Sequence, residues 1–303
     1  MKQEIVEKIL AQYAENQDMK RFYTSIYKSL SLYEEEVGRG IESFNASDII
    51  EFFNAQKYSD IASVKNNLLY IKQYCRADGL KADIQQIQAN EIDLSRGMSE
   101  QLFKSLSDIY NMAFLEYSPD NGDSIFPLVS FAWMGLPFSQ AVKVKKSDVD
   151  LEKGVIQNNG RLLFEIMPKE MCDILLRYAS VTSVRRANRK TEFPDGRPEF
   201  IYKTVPAGSN RALTPIRTAT ITGWYEKINT KYQSLYTDKK RLSTSNVLRS
   251  AKFYKLWQME LSGIDWKDKK NSSILQEAYG TSRIEPSDIR YNYFMYKKAF
   301  GLK

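Results

Sequence analysis

The residues best placed to do chemistry lie in one stretch, Ser243-Thr-Ser-Asn246-Val-Leu-Arg249-Ser-Ala-Lys252-Phe-Tyr254, with Lys255 directly after it. One guanidinium and two ammonium groups fall within two helical turns, close to a helix start whose N-terminal end favours phosphate. That is phosphate-binding chemistry, because Arg offers a planar fork of donors and Lys a point charge. A second basic run follows the same logic. Residues 184–217 carry Arg185, Arg186, Arg189, Lys190, Arg197, Lys203, Arg211 and Arg217 against Glu192, Asp195 and Glu199. Pro194, Gly196, Pro198, Pro206 and Gly208 predict a loop there. Phe193, Phe200 and Tyr202 interleave with the charges, which suits phosphate contact combined with apolar packing. Lys143 and Lys145 add two further cations just before a predicted hairpin. Tyr291 sits among Tyr293, Phe294 and Tyr296, a pattern suited to a packed terminal helix.

What is missing narrows the chemistry further. The sequence holds no histidine, which removes Ser-His and Cys-His nucleophiles, His-ligated metals and an imidazole general acid. The two cysteines, Cys75 and Cys172, are far apart and cannot form a structural zinc site alone. No metal and no cofactor is expected. The net charge of +7 favours an anionic partner. Residues 1–90 hold 11 Lys/Arg against 13 Asp/Glu, and the remainder hold 33 against 24, so the basic character lies C-terminally. No apolar run is long enough to span a membrane, and the acidic, amphipathic start Met1-Lys-Gln-Glu-Ile-Val-Glu does not read as a secretory signal. A cytoplasmic protein with an anionic partner is the expectation.

The positioning elements read as mainly α-helical with a small β-meander. Ile5, Ile9, Tyr13, Phe22, Ile26, Leu30 and Tyr33 recur at helical spacing, with a break at Asp18-Met-Lys-Arg. Ser47 is the expected N-cap of a third helix. Ser59-Asp60-Ile61 opens a fourth, with Ile61, Val64, Leu68, Ile71 and Cys75 inward and a stop at Asp78-Gly79. Lys65, Lys72 and Arg76 on that helix lie within about 20° of Lys65 around the axis, forming a basic stripe opposite the apolar one. Polar residues 81–97 predict a linker. Leu102, Leu106, Ile109 and Ala113 predict the next helix, and Phe126 to Leu136 another. Strands are expected around Val142–Val144, Asp148–Leu151, Val155–Ile156 and Leu162–Ile166, with Asn158-Asn159-Gly160 turning a hairpin. Helices are expected from Pro168 to about Ala179 and from Thr218 to Tyr236, the latter with Ile221, Trp224, Tyr225 and Ile228 inward.

This order of elements resembles the tyrosine recombinase, or phage integrase, family. The Asn246–Arg249 box, Gly280-Thr281 and Tyr291 follow the order of that family's C-terminal catalytic motifs, and Ser63-Val64-Lys65 through Tyr74 resemble its duplex-facing helix. The resemblance implies a helical core-binding domain at 1–85, a linker at 86–97 and a catalytic-like domain at 98–303. It also implies that Arg249 and Tyr291 survive from the active set, while both histidine positions read Asn246 and Thr281. The first family arginine is replaced by Pro137, its following glutamate by Gln140, and the hairpin lysine by Arg161 at best. One lost charge-stabilising donor costs on the order of 10²–10³ in rate. A lost general acid costs on the order of 10²–10⁴. Together the losses amount to roughly 10⁶ or more, even without clean multiplication. The resemblance therefore implies a sequence-specific duplex DNA-binding protein of integrase shape without the cutting chemistry. Its DNA contacts would be Arg249, Lys252, Lys255, Arg185, Arg186, Arg189, Lys190, Lys65, Lys72, Arg76, Lys143 and Lys145. Assembly as a homo-oligomer on DNA, or with other phage regulators, would fit that role. Two alternatives stay open: a recombinase using Tyr291, and an accessory protein that modulates a partner integrase.

Overall fold

A computed structural model describes residues 1–80, 82–113, 125–136, 138–141, 143–150, 152, 155–158, 161–164, 183–186, 189–192, 218–236, 240–266 and 286–303. Among them the architecture is mainly helical, with a three-stranded antiparallel meander and a two-stranded hairpin. No helix among the described residues is long and apolar enough to cross a membrane. The chain divides into two compact units. One is Met1–Glu100 together with Arg283–Lys303, and the other is Gln101–Ser282.

The first unit starts with α1 (Gln3–Ala11), α2 (Gln17–Val37), α3 (Ala46–Ala55) and α4 (Ile61–Ala77). The break between α1 and α2 falls before Asn16, whose side chain accepts from the Met19 N–H and caps α2. This is earlier than the spacing alone suggests, since an Asn cap outranks the apolar period in fixing a helix start. In α3 the cap is Asn45, not Ser47. Asn45 and Asp48 exchange side chain to backbone bonds in a capping box, satisfying two end donors at once. Val64, Leu68, Ile71 and Cys75 of α4 are buried as their spacing requires, but Phe22 of α2 is 57% exposed. Gly79, at φ 67°, closes α4 in the left-handed region.

The polar stretch expected to be a linker is built into this unit. It forms α5 (Ala82–Gln86), a short 3₁₀ turn at Ala89–Glu91 and α6 (Ser95–Gln101). Ile84, Ile87, Ile92 and Leu94 are all buried. These four apolar residues, spaced through a Gln/Asn-rich run, anchor what composition alone marks as loop. Gly97 is required by a close approach, since a Cβ there would lie 2.1 Å from the Tyr58 carbonyl oxygen. The last helix, α12 (Pro286–Phe300), completes the same unit by packing against α4. The compact unit that begins at Gln101 ends at Ser282, and Arg283–Lys303 group with the first unit.

The second unit holds α7 (Leu106–Ala113), α8 (Ile125–Trp133), α9 (Phe138–Ala141), β1 (Val149–Asp150), β2 (Val155–Asn158), β3 (Arg161–Phe164), β4 (Ser183–Arg186), β5 (Arg189–Glu192), α10 (Thr218–Leu235) and α11 (Thr244–Leu261). Its core gathers Phe103, Ile109, Met112, Phe131, Ile221, Tyr225, Ile228, Leu242 and Val247, with Trp224 partly buried against it. The meander matches the expected hairpin, Asn158 opposing Arg161. The expected helix at 168–179 lies outside the described residues, as do Pro137, Asn159, Gly160, Cys172, Gly280 and Thr281.

Candidate nucleic-acid interface

The basic box sits on α11, which Ser243 caps by accepting from the Asn246 N–H at 3.1 Å. Two buried polar side chains fix this segment. Asn229 of α10 donates to the Leu242 carbonyl at 3.0 Å and accepts from the Leu242 N–H at 2.7 Å. Ser250 donates to the Asn246 carbonyl at 2.6 Å and accepts from the Phe103 N–H at 2.9 Å. Outside them, Arg241 grips both carboxylate oxygens of Glu226 at 2.8 Å. The loop entering α11 is thereby held by α10, and α11 by the segment ahead of α7. A charge-bearing helix anchored by satisfied buried polar groups is a rigid platform.

Arg249 and Lys252 are both half-buried on α11, three residues apart and so neighbours on the helix surface, while Lys255 is exposed. Burial, followed by the adjacent Arg249 charge, holds the Lys252 ammonium below the ordinary lysine range. Asn246, where the recombinase pattern has a histidine, donates to the Arg241 carbonyl at 3.2 Å. An amide there can position but cannot act as a general acid.

The stretch expected as loop contains a hairpin, β4–β5, whose register sets Arg185 opposite Lys190 and Arg186 opposite Arg189. The alternating Ser183-Val-Arg and Lys190-Thr-Glu pattern carries the strand signal, hidden by the charge count. Lys143 is exposed and Lys145 half-buried, just before β1.

In the first unit, the α4 stripe is less uniform than its spacing implies. Lys65 pairs with Asp288 of α12 at 2.5 Å. Lys72 is half-buried and donates to the Ile87 carbonyl at 2.7 Å, and burial first of all lowers its pKa. Arg76 is exposed and donates to Gln85 at 3.3 Å. Tyr291 also belongs to this unit. Its phenol donates to the Ile92 carbonyl at 2.6 Å. Burial, then the Asp93 carboxylate, push the phenol up to about 12. On either side, Asn292 accepts from the Ile61 N–H at 2.9 Å and donates to Asp60 at 3.1 Å, and Lys298 pairs with Asp93 at 2.8 Å. Sequence reasoning missed these α12 contacts. The signal available was the buried-type spacing of Ile289, Tyr293 and Tyr296 around a polar Asn292.

Among the described residues no group of acidic or sulfur side chains is arranged to hold a metal ion.

No protein-family model matches the chain, and no curated protein matches it. Solved structures similar to it include the XerA recombinase, at TM-score 0.41 and 15% identity over 98% of this chain and 94% of that one. The Tn1549 transposon integrase in complex with circular intermediate DNA gives 0.39 and 16%, over 95% and 94%. The same integrase in complex with transposon right end DNA gives 0.42 and 14%, over 98% and 97%. The superpositions are loose, and nothing about this chain's function follows from them.

Proposed function

We propose that this protein binds duplex DNA sequence-specifically through its second unit and does not cut it, acting as a transcriptional repressor of a temperate phage or prophage. The half-buried Arg249–Lys252 pair carries this reading. Two cations three residues apart on a rigid helix suit a phosphate anion, and Lys255 extends them toward a second one. Charge distribution supports it. Gln101–Ser282 holds 27 Lys/Arg against 19 Asp/Glu, and the other unit 17 against 18. The β4–β5 register adds Arg185, Arg186, Arg189 and Lys190, four basic residues in one hairpin. Lys143, Lys145 and, from the other unit, Lys65, Lys72 and Arg76 are the remaining proposed contacts.

The residues in the active positions support a loss of cutting. There is no histidine in the chain, Asn246 offers no acid, and Tyr291 is committed to a backbone carbonyl. The sequence also resembles the integrase-like master repressor of SPbeta-type Bacillus prophages, which fits a role in maintaining lysogeny. The deciding experiment maps binding across the host genome and then measures affinity for recovered duplexes against salt. Scattered promoter sites are expected, with log K falling steeply with log salt and Arg249→Ala reducing that slope by about one. A single attachment-type site, or a slope unchanged by Arg249→Ala, would overturn the reading.

A further inference from the structure

The first unit carries a surface groove of about 590 Å³ between the end of α1, the start of α2 and one face of α4. Its floor is a tyrosine stack. Tyr13 lies 4.8 Å from Tyr23 and Tyr23 lies 4.1 Å from Tyr70, centroid to centroid. The floor phenols are already satisfied: Tyr13 and Tyr23 bond each other at 3.0 Å, Tyr23 also bonds Gln73, and Tyr70 reaches the Met19 sulfur at 3.9 Å. The lips are Phe22 and Leu69, 57% and 59% exposed. Large apolar side chains left open beside a preformed aromatic floor are the features of a protein-docking site. Phosphate and sugar give such lips nothing to bury against.

The polar groups of the groove fix the sign of its occupant. Lys72 and Arg76 line it one turn apart, and no carboxylate lines it. Lys72 spends one of three N–H donors on the Ile87 carbonyl, and Arg76 one of five on Gln85, so both keep donors for a ligand. Burial disfavours the Lys72 ammonium, Glu91 offsets this in part and the Arg76 charge adds to it, and an incoming carboxylate relieves the net cost. We infer that this groove docks an acidic amphipathic helical segment of a partner protein, with two apolar anchors seated between Phe22 and Leu69 and carboxylates on Lys72 and Arg76. This is the helix-in-groove mode, read as anchors one turn apart. It gives the α4 face a regulatory partner, separate from the DNA contacts of α11.

The test uses the full-length chain and a fluorescein-labelled peptide of about 16 residues, long enough for four turns. The peptide carries Leu at i, i+4, i+7 and i+11 and Glu on the opposite face. A second peptide replaces every Glu by Lys. The Glu peptide should bind in the micromolar range, with loss of about tenfold or more in Phe22→Ser/Leu69→Ser, the scale expected for removed anchors. Arg76→Glu should weaken it as well, and the Lys peptide should not bind. Both lip residues are exposed, so the variants should melt like the parent chain. Failure of the Glu peptide to bind, equal binding of the two peptides, or indifference to Phe22→Ser/Leu69→Ser would overturn the proposal. Two further outcomes would do so by naming another occupant. Loss of duplex or single-stranded DNA affinity in Phe22→Ser/Leu69→Ser would assign the groove to nucleic acid. A concentration-dependent dimer abolished by the same variant would assign it to a second copy.

Discussion

Replacing Tyr291 by Phe separates a structural role from a chemical one. The phenol donates to the Ile92 carbonyl at 2.6 Å, from a half-buried position on α12. Phe keeps the ring and its packing and removes only this bond, leaving a carbonyl acceptor short of its donor. Such a loss costs about 1–2 kcal/mol, the net bond plus part of the desolvation of its partner. In a unit of this size that lowers the thermal midpoint by roughly 3–10 °C. DNA affinity should stay within about twofold, since no phosphate contact changes. The chemistry points the same way. A phenol pushed up to about 12 is ionised to roughly one part in 10⁵ at pH 7, the reverse of an activated nucleophile. The assay pairs a thermal melt with incubation of the wild-type chain on nicked suicide duplexes. A melt unchanged by Tyr291→Phe would refute the structural account. A phosphotyrosyl adduct trapped at Tyr291 would refute the non-cutting account and establish a recombinase.

Asn292→Ala removes an acceptor for the Ile61 N–H and a donor to Asp60 at a buried site, so a loss of about 2–4 kcal/mol is expected, measured by denaturant unfolding. The Asp93 carboxyl is pushed up by burial, but its bonds to Lys298 and Ser95 outweigh this and hold it below the usual range. A depressed folded pKa contributes stability above the unfolded value of about 3.9 that is lost as pH falls through the folded pKa. The melting temperature should therefore fall below about pH 4, and less steeply in Asp93→Asn. Burial pushes the Cys75 thiol up to about 12, and its side chain is fully enclosed, so a thiol reagent should label it only as fast as the first unit opens.

The helices were legible wherever one face is apolar over three turns or more. Val64, Leu68, Ile71 and Cys75 define α4 by spacing alone, and Ile221, Tyr225 and Ile228 define α10. Caps were legible only to within a few residues, because Asn45 and Ser47 are both good N-cap types and the choice falls to Asp48, which closes a box with Asn45 alone. The 81–97 stretch misleads because composition averages over it, whereas four isolated isoleucine and leucine side chains anchor its backbone. Of the candidate site, the Arg249–Lys252 adjacency follows from a spacing of three on a helix. What holds it does not. Asn229, Ser250 and Asn292 act across 13, 147 and 231 residues of sequence, and a long-range polar clamp leaves no periodic trace.

The placement of α12 changes what counts as a domain. Its Ile289, Tyr293, Met295 and Tyr296 are buried, and its polar contacts run to Asp60, Ile61, Lys65, Ile92 and Asp93. Burying four such side chains stabilises by about 6–12 kcal/mol. That is comparable to the whole stability of a typical domain, about 5–15 kcal/mol. A fragment cut as 98–303 would therefore carry α12 without the α4 face it packs on, exposing an apolar stripe, while 1–97 would lose the helix that completes its core. Fragments that respect the contacts are 101–282 alone, and 1–100 joined to 283–303 by a short flexible linker. The expected outcome is that this second pair is soluble and melts cooperatively, and that 98–303 and 1–97 aggregate or melt without cooperativity. If 1–97 alone unfolds with the same midpoint as the joined fragment, then α12 contributes nothing to that core. Tyr291 would then be available for a role other than packing. If the joined fragment is the stable one, the first hundred residues and the last twenty-one form one folding unit. Residues 101–282 then interrupt that unit in sequence only, and Tyr291 belongs to its packing.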